Sequence, residues 1–292
     1  MKEKEFDLAA LKKVGMIQQK QKEYFALRLR AVGGDYNSLQ IKKIAEIADK
    51  YGRGELHLST RQGIEIHNVH YSDLEKARME LETVEVYMGA CGPRIRIIVA
   101  CPGSVTCRWG IAETKSISKE LDAKYFREDT PHKFKISVTG CPHNCAKATE
   151  NDIGVMGAIL PFWTQSSCTD CGLCVNICPT KAIEKKIDSN GKAEYLLLED
   201  KCINCSICTA ACPVNSWVAA EKGYNLFIGG TMGKIPRLGT LLKKVLNKEQ
   251  LDTLIDKSIR YYQKNGRKKE RFGHMIDRIG VEKVKGDLLN GI

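Results

Sequence analysis

Thr139-Gly-Cys-Pro-His-Asn-Cys145 sets two thiols with three residues between them, directly behind a run over residues 134–139 in which Phe134, Ile136 and Val138 alternate with polar residues. That run reads as a strand. Cys101 and Cys107, with five residues between them, follow a second expected strand over 95–100. Four thiols delivered by the ends of two neighbouring strands can converge on one iron–sulfur cube. The same spacing also admits a third plain cluster or a set of buried structural thiols.

Further along, the spacing changes. Cys168, Cys171, Cys174 and Cys178 precede Pro179, and Cys202, Cys205, Cys208 and Cys212 precede Pro213. In this doubled C-x2-C-x2-C-x3-C-P pattern three close thiolates hold one cube and the fourth crosses to the other. One expected ligand set is therefore Cys168, Cys171, Cys174 and Cys212; the other is Cys178, Cys202, Cys205 and Cys208. Zinc also takes C-x2-C pairs, but two complete runs ending in proline argue against it. Small neighbours (Gly172, Ser206, Ala210, Ala211) let backbone approach the sulfurs. Of thirteen cysteines only Cys91 is left over, and it reads as a buried or incidental thiol.

With 292 residues, 43% hydrophobic and 28% charged, the chain has the make-up of a globular protein of two or three units. No run is long and apolar enough for a membrane helix, and Met1-Lys-Glu-Lys-Glu-Phe6 is no export signal. A cytoplasmic location is expected, with no membrane partner. Thiols at metal-ligand spacing imply a reducing, anaerobic or microaerobic setting. The net charge of +11 could serve a nucleic-acid surface, but no such motif accompanies it. Three four-thiolate cubes at roughly −2 each would remove about six of those charges.

The order of patterns predicts an α+β fold. Residues 1–88 hold a strand over 24–32 ending at Gly33-Gly34, a helix over 38–51, strands over 55–60 and 63–69, and a helix over 72–83. This β-α-β-β-α order suggests a ferredoxin-like sandwich, in the sense of fold. A second unit spans 89–160 and 220–292, with strands over 95–100, 134–139 and 152–160, a helix over 111–124, and a strand resuming at 224. It ends in helices over 247–264 and 272–288, with Arg267-Lys268-Lys269 as a solvated turn between them. Residues 161–219 read as an inserted two-cluster ferredoxin module.

The paired C-x5-C and C-x3-C resembles the siroheme-coupled cluster site of the nitrite and sulfite reductase family. More of the chain agrees. Thr60-Arg61-Gln62 is similar to the family's T-x-R-Q segment, Arg96-Ile-Ile-Val-Ala-Cys101 to its R-N-x-x-x-C-P strand, and Lys133-Phe134-Lys135 to its paired lysines. Arg28-Leu-Arg30-Ala-Val-Gly-Gly looks like its strand carrying an anion-binding arginine before two glycines. A single repeat with a ferredoxin insertion most resembles the C subunits of anaerobic sulfite reductases and the siroheme part of deazaflavin-dependent ones. Ile97 stands where the family usually has asparagine, and Glu65 where it often has glutamine.

The resemblance implies siroheme and three [4Fe-4S] clusters as cofactors, and six-electron reduction of sulfite to sulfide. Nitrite is the alternative substrate, and a non-catalytic electron-transfer subunit the alternative class. It implies that Cys145 bridges its cube to the siroheme iron, with Asn144 beside it, and that Arg61 and Gln62 contact the macrocycle. Gly229-Gly230, with Gly233 near, either lets backbone approach a cofactor or forms a turn. Arg30 and Arg96 would clamp the substrate anion, with Lys133 and Lys135 as clamp and proton source. His143 is a proton donor or a packing residue. An electron-donor ferredoxin or flavoprotein subunit is the expected partner, in a homodimer or hetero-oligomer.

Overall fold

The computed structural model describes residues 7–291; the reading of Met1–Phe6 lies outside them. Two elements precede the first expected strand: α1 (Leu8–Lys13) and β1 (Met16–Gln18). Both are too short to show a periodicity. Then come β2 (Tyr24–Arg28), α2 (Ser38–Tyr51), β3 (Leu56–Leu58), β4 (Ile64–His70) and α3 (Leu74–Glu82). Asn37 and Gln40 form a capping box at the start of α2, and the N–H of Gly52 closes its end. The sheet runs β1-β2-β4-β3, antiparallel throughout. Ile44, Ile47 and Ala48 of α2 and Leu74, Ala77 and Leu81 of α3 share a core with Phe25, Leu27 and Ile66. The strand expected over 24–32 stops at Arg28. Beyond it Leu29 makes one bridge to Met88, and Gly33 and Gly34 turn the chain at φ 63° and 81°.

The next elements are β5 (Val99–Ala100), α4 (Thr114–Tyr125), β6 (Ile136–Thr139) and β7 (Ile153–Trp163). They are followed by α5 (Leu173–Ile177), β8 (Ile183–Ile187), β9 (Ala193–Leu197) and α6 (Ile207–Ala211). The chain then returns through β10 (Trp217–Ile228), β11 (Thr240–Leu246), α7 (Lys248–Asn265), α8 (Phe272–Ile279) and α9 (Val281–Leu289). A second sheet runs β11-β10-β7-β6-β5. Its β5, β6 and β7 are parallel, whereas β10 is antiparallel to both β7 and β11. The expected 95–100 strand shrinks to a bridge at Ile95 and the pair in β5. The single helix expected over 272–288 is two, broken at Gly280 with φ 106°.

The largest core lies under this second sheet. Phe134, Tyr262 and Phe272 meet there with ring centroids 5.2–5.6 Å apart. Burying each ring contributes roughly 2–3 kcal/mol. That packing fixes the start of β6, and hence Lys133 and Lys135 on either side of Phe134.

β7 and β10 form one long ribbon, paired from Ile153↔Ile228 to Trp163↔Trp217. Residues 164–216 hang from its far end, with α5, α6 and the β8–β9 hairpin. The two cysteine runs there repeat in backbone as well as in spelling. Asp170 and Asn204 have φ 58° and 59°, Gly172 and Ser206 71° and 67°, and Lys181 and Asn215 50° and 54°. Each pair sits at the same offset from Cys168 and Cys202. A serine at positive φ costs about 1 kcal/mol, so thiol geometry outranks local preference here. Among the described residues no helix is long and apolar enough to cross a membrane.

Candidate thiol and anion site

Parallel pairing of Ala100 with Val138 brings the ends of β5 and β6 side by side, so Cys101 and Cys141 emerge together. Gly140 N–H donates to Cys101 Sγ at 3.1 Å, and Thr114 Oγ1 donates to the Cys101 carbonyl at 2.5 Å. The loop to Cys107 closes on Gly103, whose carbonyl accepts the Cys107 N–H at 2.8 Å. Burial pushes the Cys141 thiol up, and the charges of Cys101, Cys107 and Cys145 add to that against the His143 N–H. Cys101, Cys107 and Cys145 therefore each lie within electrostatic reach of Cys141. Cys101 and Cys141 are buried, Cys107 is half-buried and Cys145 is exposed. His143 is exposed, with Nδ1 3.4 Å from Cys141 Sγ and its ring 5.7 Å from Trp109. Asn144 is turned into its own loop: Nδ2 donates to Thr149 and Oδ1 accepts the Ala148 N–H.

In the hanging segment the eight thiols line two recesses. Cys168, Cys171, Cys174 and Cys212 share one, while Cys178, Cys202, Cys205 and Cys208 share the other. Backbone N–H groups of Ala182, Ser216 and Asn204 donate to Cys178, Cys212 and Cys202 at 3.2, 3.2 and 3.4 Å. Burial first, then the thiolates of Cys205, Cys202 and Cys178, pushes Cys208 up to about 12. Among the described residues no three His, Cys, Asp or Glu side chains stand close enough together to hold one metal ion. Thiols that each hold one iron of a cube stand farther apart than ligands of one ion. Amides aimed at sulfur suit thiolates, so the donor set fits iron–sulfur clusters.

The second half of the site is cationic. Arg61 reaches across from the first sheet, with Nη1 on Asn151 Oδ1 at 2.8 Å and Nη2 on the Ile97 carbonyl at 2.6 Å. Gln62, at φ 62°, exchanges two hydrogen bonds with the backbone of Ala100, the residue before Cys101. Arg96 donates to the carbonyls of Ala90 and Gly92, and its buried Nε has no partner among the described residues. Burial, then Arg61 and Arg271, pushes Lys135 down to about 8, against the pull of Asp152. Lys133 falls below its ordinary value through burial, Arg271 and Arg96. Arg61 is lowered to about 10 by burial, then by Arg96, with Arg271 and Arg28 contributing.

These mutual effects define one cluster: Arg28, Arg61, Arg96, Lys133, Lys135 and Arg271, with Asp152 and Glu65 as its carboxylates. Burial pushes Glu65 up, but Arg28 and His67 outweigh it and hold it below the ordinary range. Arg271 is buried and the other five cations are half-buried, and positive charge withdrawn from water in such excess is favoured by an anion beside it. With the unpartnered Nε of Arg96 and of Arg271, the residues present fit a polycarboxylate and a small oxyanion.

Not every expected residue joins the cluster. Arg30 is ion-paired with buried Asp122 and lies over the Phe126 ring at 4.1 Å. Its neighbour Arg28 faces the cluster instead, bound to Glu65 at 2.7 Å. Gly229 and Gly230 meet protein: a Cβ on Gly229 would lie 2.6 Å from Ile276, and one on Gly230 2.5 Å from the Thr149 carbonyl. Gly233 has open space around it. Arg271 escapes the sequence reading, although a signal is present as an arginine one residue before the apolar start of a helix. Arg28 escapes it because R-x-R offers two candidates on one side of a strand.

Residues 91–290 match the family described as the nitrite and sulphite reductase 4Fe-4S domain, and residues 17–84 match the nitrite/sulfite reductase ferredoxin-like half domain. A coenzyme F420-dependent sulfite reductase of Methanocaldococcus jannaschii is 34% identical over 89% of this chain. The match spans only 41% of that relative's length. The C subunit of the anaerobic sulfite reductase of Salmonella typhimurium is 29% identical over 91% of this chain and 83% of its own. A crystal structure of dissimilatory sulfite reductase I shares the fold, with a TM-score of 0.74 at 18% identity over 91% of this chain and 69% of that one. The cysteine-bearing second sheet lies within the first matched domain, and the chain belongs to the nitrite and sulfite reductase family.

Proposed function

We propose that this chain is the siroheme-bearing subunit of a sulfite reductase. Hydrogensulfite takes up six electrons and six protons and leaves as hydrosulfide and three waters. In this reading residues 1–88 form the ferredoxin-like half domain, 89–160 with 220–292 the siroheme and cluster domain, and 161–219 an inserted two-cluster ferredoxin. Three [4Fe-4S] clusters and siroheme supply and store the electrons, which no side chain can provide. Cys101, Cys107, Cys141 and Cys145 would hold the coupled cluster, with Cys145, the exposed thiol of the four, as the one open to the siroheme.

The chain's own residues do the rest. Arg28 and Arg96 present charge to an anion and never lose it. Lys135, lowered to about 8, holds a transferable proton near neutral pH. Lys133 adds a second cation, while Arg61 and Gln62 clamp the strand that delivers Cys101. Arg30 belongs to the outer wall, through Asp122. Along the β7–β10 ribbon the Cys202 set packs near Ile159, where the Ile159 N–H donates to the Asn204 carbonyl at 3.2 Å. The Cys168 set lies farther out, beside Trp163 and Trp217. That order suits a donor, ferredoxin or flavoprotein, docking at the outer end. The protein works in the cytoplasm, alone or with a second copy or partner subunit.

The observation that carries this reading is the joining of a four-thiol strand-end site to a cluster of six cations through the Arg61-Gln62 turn, by the Gln62–Ala100 and Arg61–Ile97 hydrogen bonds. The test is an absorption spectrum of anaerobically purified protein, followed by turnover of sulfite and of nitrite with reduced methyl viologen. Siroheme bands perturbed by sulfite, with faster sulfite than nitrite turnover, are expected. Iron without a tetrapyrrole would leave an electron-transfer subunit; faster nitrite turnover would change the substrate.

A further inference from the structure

Arg271 reaches the cation pocket from the C-terminal helices, far in sequence from every expected site residue. It is the N-cap residue of α8 and only 7% exposed. Its Nη2 donates to Asp152 Oδ2 at 2.8 Å, and Asp152 is fully buried. The same oxygen accepts the backbone N–H of Lys135 at 2.8 Å. One carboxylate oxygen thus joins an arginine of α8 to the main chain of Lys135.

The linkage is rigidly held. Gly229 N–H donates to the Asp152 carbonyl at 2.8 Å. Gly273 packs against Gly229 so closely that a Cβ would strike the Gly229 carbonyl. Phe272, Met275 and Ile276, all fully buried, already dock α8. Burying an ion pair adds little stability beyond such packing, so its presence calls for another reason.

We propose that Arg271 is a positioning residue of the anion site, acting through Asp152 to fix the backbone of Lys135 and to keep the carboxylate's charge neutralised beside that lysine. The inference rests on reading the pocket as the sulfite site. The groups that act on Lys135 are Arg61, Arg271 and Lys133, which disfavour its protonated form, and Asp152, which favours it. With Arg271 in place the carboxylate is balanced, and Lys135 releases a proton more readily. Burial pushes the Asp152 carboxyl up, and Arg271 is the first of the groups that pull it back down. Without Arg271 one cation is gone from around Lys135, and that loss holds the proton on Lys135 to higher pH.

The experiment uses the holoenzyme and two readouts across pH. One is trace acetic anhydride labelling of Lys135, read by peptide mass spectrometry; the other is methyl viologen-driven sulfite reduction. In Arg271→Gln the labelling midpoint and the alkaline limb of the rate both move up by about one pH unit. The same variant lowers kcat near neutral pH more than it raises KM. Arg271→Lys, which keeps the charge, leaves the midpoint near wild type. Asp152→Asn moves it the opposite way, downward, and this sign decides the matter should Arg271→Gln not fold. Unmoved midpoints, or shifts of the same sign in both variants, overturn the proposal. A wild-type protein with no sulfite turnover but with opposite labelling shifts leaves the linkage standing and removes the sulfite reading.

Discussion

Cys91 Sγ receives a hydrogen bond from Arg28 Nη1 at 2.9 Å, so the thirteenth cysteine is engaged by an arginine of the cation cluster. It is 2% exposed and outside all three thiol sets. Cys91→Ala is expected to keep the wild-type iron and sulfide content per chain. It should lose about 1 kcal/mol, read as a melting point a few degrees lower. Disappearance of one cube's iron would move Cys91 into a ligand set.

Arg28 and Arg30 should separate cleanly. Arg28→Ala is expected to raise the sulfite KM by about tenfold, the loss of one charge-assisted contact. Arg30→Leu should leave KM near wild type but cost roughly 3 kcal/mol at neutral pH, since Asp122 would lose its partner. Burial already raises Asp122, against the pull of Arg30, and removing the arginine raises it further. The instability of Arg30→Leu is therefore smaller in acid, where Asp122 is protonated, and grows as pH rises through the folded-state value. Urea unfolding at two pH values checks the sign.

Lys135→Met should cut sulfite turnover by a factor of 10²–10³ or thereabouts while sparing the cluster spectra. In the unmodified enzyme, a lysine held at about 8 makes the rate fall as pH rises through that value. The stability effect runs the other way. A lysine lowered by folding disfavours the fold while charged, and that penalty lifts as pH rises from about 8 toward the unfolded value. A rate that stays flat to well above pH 9 would remove Lys135 as the proton source.

Asn204 ties the hanging segment to the sheet. Its Nδ2 donates to the Ile159 carbonyl at 2.9 Å, its Oδ1 accepts from Asn225 at 3.3 Å, and it is 3% exposed. Asn204→Leu leaves those groups unpaired at a cost of about 2 kcal/mol. Faster amide hydrogen exchange around Ile159 and in residues 202–208 is the expected readout, with β6 and α7 unaffected.

Gly273→Ala drives a methyl group into the Gly229 backbone carbonyl and against the Arg237 side chain. A loss of about 1–3 kcal/mol in thermal unfolding is expected. Gly286→Ala, with open space around it, should be neutral or slightly stabilising.

What the sequence reveals here depends on how locally each feature is encoded. Helix α2 is written in its apolar spacing, in Asn37 before it and in Gly52 after it, and the structure has it over the expected residues. The repeat between the two later cysteine runs is legible for the same reason, because each run specifies its own backbone turns. Arg28 and Arg30 share strand parity, so alternation cannot separate them. The choice is made where the chain leaves the sheet at Leu29 and turns Arg30 to Asp122. Arg271 lies 119 residues from Asp152, and no local pattern links them. Nor does any local pattern announce that Gly229 and Gly230 face helix and loop backbone.

Trp163 and Trp217 face each other as the last pair of the β7–β10 ladder, at the two points where the hanging segment leaves and rejoins the sheet. The segment is thus borne like a cartridge on a two-pronged socket: both leads are adjacent, so replacing it leaves the ladder closed and gives up only side contacts such as those of Asn204. A tight two-residue turn grafted between those tryptophans should give a shortened chain whose second sheet still assembles. A foreign domain with adjacent termini should seat there equally well.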